Sequence, residues 1–454
     1  MKNLWQLELA QLTRSGLARG LAVVFSVLVA YALWIGAMEQ TRWANAVAAN
    51  RSGSEEALAR EEERVRSGQR NGFYPPGAPA AQKMDASLSP APGVVLAVGD
   101  SALRPLTATV STFSRADTLF KNTETASPLS AALGTLDMTW VVIVLMPLLV
   151  IALGHDVLAG ERDAGRLGLL RMHAKGVGGL MPRRLVVHGS LPVLLSSAGA
   201  LIAVFLGAPA SVAGLWWLVT TLYLLVWILV TALISARARS SQSAAANLLM
   251  LWLGFVVVLP AALALAIERY SPVPSRLSQV IELREVELGL HPRTTELLDR
   301  YLVDHPELVG ASRSGFVRSF FVVQRETESQ LTPVTARFED ARRAQARLSA
   351  ALSWLAPPMF VHSALQSLAG TDRTRHEAFV RQTVDFARQW REHLRERLFL
   401  DRNLTPSELR ALPRFAFAEP RMSGRPWIAA GYLALLATSI AALLRGALRN
   451  ADLR

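Results

Sequence analysis

Long apolar blocks alternate with long amphipathic ones along this chain. Six windows, at roughly 21–36, 136–154, 185–207, 215–235, 244–267 and 427–444, are almost wholly apolar and hold no Lys or Arg in their interiors. A helix needs about 20 such residues to cross a hydrocarbon core of about 30 Å, so each window predicts a membrane-spanning helix. The first window resembles a secretory leader in one respect, because Ala44-Asn45-Ala46 follows it at a cleavage-like distance. Yet about 20 residues precede it, and it exceeds the usual 7–15 residues of a leader's apolar core, which favours an uncleaved anchor.

Between the windows the period changes. In the second long segment the runs TELLDRYLVDHPELV, SGFVRSFFVVQRETESQL, VTARFEDARRAQARLSAALSWL and HEAFVRQTVDFARQWREHLRERLFL space apolar residues at three and four, with charge on the opposite face. That pattern predicts amphipathic helices with solvated charged faces. The first long segment opens with a charged helix candidate, RSGSEEALAREEERVRSG, which the Pro- and Gly-rich NGFYPPGAPAAQKMDASLSPAPG does not continue. VVLAVG and TATVSTFS then read as short β-like runs, giving a helix followed by a small mixed region. Ahead of the first window, Leu4, Leu7 and Leu12 share a helical face with Trp5 beside them. This suits a helix lying in the headgroup layer, or equally a continuation of the first span.

The predicted fold class is mainly α: a polytopic membrane protein with six transmembrane helices and a large, mostly helical extracytoplasmic domain. Its expected parts are an interfacial helix 1–20, spans at 21–37, 136–154, 185–267 (three of them) and 426–445, outer segments 38–135 and 268–425, a loop 155–184 and a tail 446–454. Orientation follows from charge. The stretches 1–20, 155–184, 236–244 and 445–454 together hold 14 basic and five acidic residues, whereas the outer segments with the border residue Asp137 hold 34 and 31. By the positive-inside bias both termini are expected in the cytoplasm. The net charge of +12 therefore reads as topology and contact with anionic membrane lipids, with no call for nucleic acid. The chain has no cysteine, so the outer segments must be held by ordinary cores without disulfides.

Catalytic and cofactor chemistry is thin. No G-x-x-x-x-G-K-[ST] and no G-x-G-x-x-G between a strand and a helix occurs, so no nucleotide site is visible. The eight histidines form no metal spacing, and no G-x-S-x-G appears. The spans offer only His188 and the border residue Asp137. That is little for an ion-coupled carrier, and a lone His near a helix start more often packs through a hydrogen bond. The expectation is a non-catalytic chain with no metal and no cofactor of its own.

One stretch stands out. GHDVLAGERDAGRLGLLRMHAKG packs charge and then leucines into a short loop between two apolar blocks. Asp156, Glu161, Arg162, Asp163 and Arg166 offer charge complementarity to a soluble partner, and Leu169, Leu170 and Met172 a small apolar knob. The bland alternative is a solvated loop that serves the positive-inside bias. The run from Asp156 through Glu161, Arg162, Asp163, Gly165, Leu169 and Leu170 resembles the cytoplasmic signature E-R-E-x-G-T-L-x-L-L of ABC-2 type transporter permeases, departing from it at Asp163 and Arg166. Two further runs resemble the subgroup with large extracytoplasmic inserts: PLSAALGTLDMTWVVIVLMPLL, with Pro128, Gly134, Asp137 and Pro147, and LSWLAPPMFVHSALQSLAGTDRTRHEAF, with Pro357, Ala369, Gly370, Thr371, Asp372, His376 and Phe379.

The resemblance implies a permease subunit in a bacterial inner membrane, an exporter or extractor. It implies pairing with a second copy or a paralogue, and drive from a separate cytoplasmic ABC ATPase that binds ATP and Mg. Glu161 and its neighbours would then be the ATPase-coupling residues. Gly370, Thr371 and Asp372 read as a structural junction, with Gly ending one helix and Thr or Asp capping the next. The reading from another class is a membrane-anchored periplasmic scaffold or sensor without transport activity.

Overall fold

The computed structural model describes residues 8, 10, 13–69, 72–116, 118–120, 135–165, 176–309, 315–421 and 423–453. Leu4, Trp5, Leu7 and Leu12 of the expected interfacial helix lie outside them. The Ser15 hydroxyl accepts from the Ala18 N–H at 3.3 Å and caps α1 (Gly16–Ser67). This helix runs 52 residues, about 78 Å at 1.5 Å per residue. The hydropathy pattern predicts a first span ending at 37 and a separate charged helix after it; in the structure the two are one helix. No Gly or Pro lies between Gly36 and Gly53, and the pairs Arg51–Glu55, Arg60–Glu56 and Arg66–Glu62 support its solvated half. Gly68, at φ 67°, stops it.

The antiparallel strands β1 (Lys83–Ser87) and β2 (Thr107–Ser111) pair Met84 with Val110 and Ala86 with Ala108, all four buried. β2 is the expected TATVS run. VVLAVG is not a strand but a buried turn, and the partner of β2 comes from the KMDAS that the sequence reading leaves in the Pro- and Gly-rich stretch. A run that is apolar on every side marks burial without fixing the backbone, which is why VVLAVG misleads.

Next come α2 (Met138–Asp163), α3 (Gly176–Phe205), α4 (Ala210–Arg237) and α5 (Ser241–Tyr270). They are followed by α6 (Arg276–Leu290), α7 (Thr294–Asp304), α8 (Gly315–Leu352), α9 (Pro357–Ala369), α10 (Arg373–Leu400), α11 (Pro406–Arg410) and α12 (Arg425–Leu453). The two middle amphipathic runs of the second segment merge into α8, whose Pro333 sits on the exposed side where water can satisfy the carbonyl it orphans. Six helices, α1 to α5 and α12, contain stretches long and apolar enough to cross a membrane, as a multi-pass membrane protein requires.

Two cores organise the rest. Trp43 of α1, the hairpin, Tyr301 of α7, Phe321 of α8, Phe379, Trp390 and Phe399 of α10 and Leu409 of α11 share one core, so both long segments build a single domain. The bundle of spans has its own core, and that core takes in Val95 and Leu96 of the buried turn and Phe360, Val361, Ala364 and Leu365 of α9. α9 and the turn therefore close the domain end of the bundle.

Candidate coupling turn and domain junction

At the far end of the bundle from the domain, α2 finishes in a turn at 155–158 and a last helical turn, Ala159–Asp163. Little of this segment is loose. Ser235 Oγ of α4 accepts from the N–H groups of Leu158 and Ala159 at 3.1 and 3.2 Å. The Arg162 guanidinium donates to the carbonyls of Ala236, at 3.1 Å, and Ala238, satisfying acceptors that the end of α4 leaves open. Asp163 accepts from the Ser241 N–H at 2.7 Å, at the first turn of α5. Glu161 pairs at 3.0 Å with Arg184 of α3, which also holds Glu8 at 3.0 Å and donates to the Val157 carbonyl at 2.9 Å.

Of the residues singled out in the sequence, Glu161, Arg162 and Asp163 thus bind the turn to α3, α4 and α5. Asp156, Asp163, Ala164 and Gly165, the last at φ 67°, form its exposed edge. Leu169 and Leu170 lie outside the described residues. His188 hydrogen-bonds through Nδ1 to the Leu153 carbonyl at 2.6 Å and sits beside Gly154, Gly189 and Thr231 around a water-sized cavity.

At the domain end, Asp137 is buried and accepts three N–H groups: Trp140 at 2.7 Å, which caps α2, and Val98 and Gly99 at 2.9 and 3.0 Å. Thr139 donates through both its N–H and its hydroxyl to the Leu96 carbonyl, at 3.1 and 3.0 Å. The turn leaves no room elsewhere. A Cβ on Gly36 of α1 would stand 2.2 Å from the Val95 carbonyl oxygen, and one on Gly93 would stand 2.6 Å from Ala369 Cα. His362 of α9 lies near Asp137. Pro128 and Gly134 lie outside the described residues.

Gly370 follows α9 with φ 75°, and Asp372 accepts from the Arg375 N–H at 3.3 Å at the start of α10. Thr371 bonds back to the Gln366 carbonyl at 3.1 Å through its N–H. Arg375, which the sequence reading passes over, is buried there, held by Glu419 and the Ser89 carbonyl and stacked 5.8 Å from the Trp43 ring centroid. His376 lines a small cavity with Trp43, Arg104 and Thr371; burial first, and the Arg104 charge second, push its pKa down to about 4. Among the described residues no group of three or more His, Asp or Glu is placed to hold a metal ion.

The other buried polar feature that the sequence pattern hides is a stripe on α4. Trp216, Thr220, Tyr223, Trp227, Thr231 and Ser235 recur at helical spacing and are all buried. The spacing was a legible signal, but hydropathy averages it away.

Residues 276–418, from α6 to the segment beyond α11, match the family described as a domain of unknown function, DUF3526. The match covers less than a third of the chain and most of its domain. No curated protein matches the chain.

Proposed function

We propose that this chain is the membrane-spanning permease subunit of an ABC-2 type transporter, working as an exporter or extractor and driven by a separate ATPase in the cytoplasm. The observation that carries the reading is the coupling turn. It is bonded to α3, α4 and α5 at once, so a partner that moves it moves those spans, and its exposed edge presents Asp156 and Asp163. A chain without a visible nucleotide site needs such a surface to receive work from elsewhere. On this reading the turn, both termini and the short loops face the cytoplasm, and the domain faces the opposite compartment, where it meets the substrate.

The test is affinity purification of the tagged chain from its native membrane. An ATP-hydrolysing subunit should co-purify, and Asp156→Arg should reduce its recovery by about tenfold or more while leaving the amount of folded chain unchanged. A chain that purifies without any nucleotide-hydrolysing partner sinks the reading and favours a membrane-anchored scaffold or sensor.

A further inference from the structure

Trp216, Tyr223, Thr231 and Ser235 of the α4 stripe meet α2 at intervals along its length, whereas Thr220 pairs with Ser196 of α3 at 3.1 Å. Trp216 Nε1 donates to Thr139 Oγ1 at 3.3 Å, Tyr223 donates its hydroxyl proton to the Ile143 carbonyl at 2.9 Å, and Ser235 holds Leu158 and Ala159. Between these, Thr231 fits against Gly154, where a Cβ would stand 2.9 Å from Thr231 Cγ2. From Thr139 to Ala159 is about 30 Å of helix, the thickness of a hydrocarbon core. No water competes for such bonds there.

The central contact has a specific cause. Pro147 has no N–H to give the Ile143 carbonyl, four residues back, and the helix widens to a π turn over Val141–Leu145 just before it. A proline beside a π turn is where a helix bends. Here the freed Ile143 carbonyl is taken by Tyr223, and the next one, Val144, by Trp252 Nε1 of α5 at 3.0 Å.

We infer that α2 and α4 form one strut, locked at its proline by Tyr223, which carries displacement of the coupling turn across the membrane to Asp137 and the buried turn at 91–99. Tyr223 is a positioning residue in this arrangement, acting through α2. The strut's purpose rests on the permease reading, but its test does not.

The full-length chain in lipid nanodiscs, without any partner, is followed by amide hydrogen exchange. Ser235→Ala removes the acceptor at the coupling end. If the strut opens as one cooperative unit, exchange rises about tenfold at Leu158 and Ala159 and by a similar factor at 139–142. A rise confined to the coupling end overturns the strut. Tyr223→Phe should break the lock, so that Ser235→Ala then acts on the near end alone. Adding Pro147→Ala should rescue transmission, since alanine at that position returns an N–H to the helix, and this double background also serves if Tyr223→Phe folds poorly. Transmission that persists in Tyr223→Phe, or that Pro147→Ala does not restore, overturns the role of Tyr223. Failure of an ATPase to co-purify would bear on the preceding reading alone.

Discussion

Asp137 stays in an apolar place because three N–H groups converge on its carboxylate. A buried donor left without an acceptor costs about 1–3 kcal/mol, so Asp137→Ala, which strands all three, should lower stability by about 3 kcal/mol or more. Asp137→Asn keeps one carbonyl oxygen and should cost less. Unfolding of the purified chain by denaturing detergent measures both, and equal losses would remove the carboxylate from its pinning role. His376 gives a second test at the same scale. Its pKa falls from 6.5 unfolded to about 4 folded, so between these values the unfolded chain binds more protons. Stability is then full above about pH 6.5, declines as pH drops toward 4 and levels off below it. The span of the effect is up to about 3 kcal/mol, and His376→Gln should flatten that part of the pH profile. An unchanged profile would show that His376 is not the group responsible.

At the level of elements, the candidate coupling turn is an anchored piece of α2. Arg162→Gln releases the carbonyls of Ala236 and Ala238, and two bonds from a charged donor are worth about 3–6 kcal/mol. The turn should detach from α4, and a single spin label at Ala164 should sharpen as its motion increases; an unaltered spectrum would show that the turn is held by other contacts. Reversing Glu161 is a poorer probe of partner binding than reversing Asp156, because Glu161 also holds Arg184. The sequence makes the spans legible, since 20 apolar residues have few alternatives, and it marks Gly370 and Asp372 as helix-end residues by chemistry alone. It does not reveal that VVLAVG is a turn wedged between α1 and α9, because that depends on Gly36 packing against Val95 and Ala369 packing against Gly93 from elsewhere in the chain. Nor does the charge of Glu161 and Arg162 say whether it points outward or back into the protein.

For the whole molecule, the two long segments read as separate pieces because some 130 residues of spans intervene, yet Trp43 and Phe379 sit in one core. Pairing at that sequence distance is set by shape, which periodicity does not carry. Topology is the property of the whole chain that the sequence addresses most directly, through 14 basic against five acidic residues on one set of short segments. Six crossings would put both termini on one side, and the positive-inside bias points to the cytoplasm as that side. The absence of cysteine permits a clean measurement with single substitutions at exposed sites. Cysteines replacing Asp156 and Arg239 should be shielded from an impermeant thiol reagent added outside spheroplasts, and should react once the membrane is opened. Cysteines replacing Lys83 and Arg342, both exposed on the domain, should react from outside. The domain pairs form an internal control: Lys83 and Arg342 lie on different long segments of one folded unit, so they must agree with each other. Reaction of position 156 from outside, with 83 and 342 shielded, would invert the orientation and place the domain beside the cytoplasmic ATPase, which the permease reading does not survive.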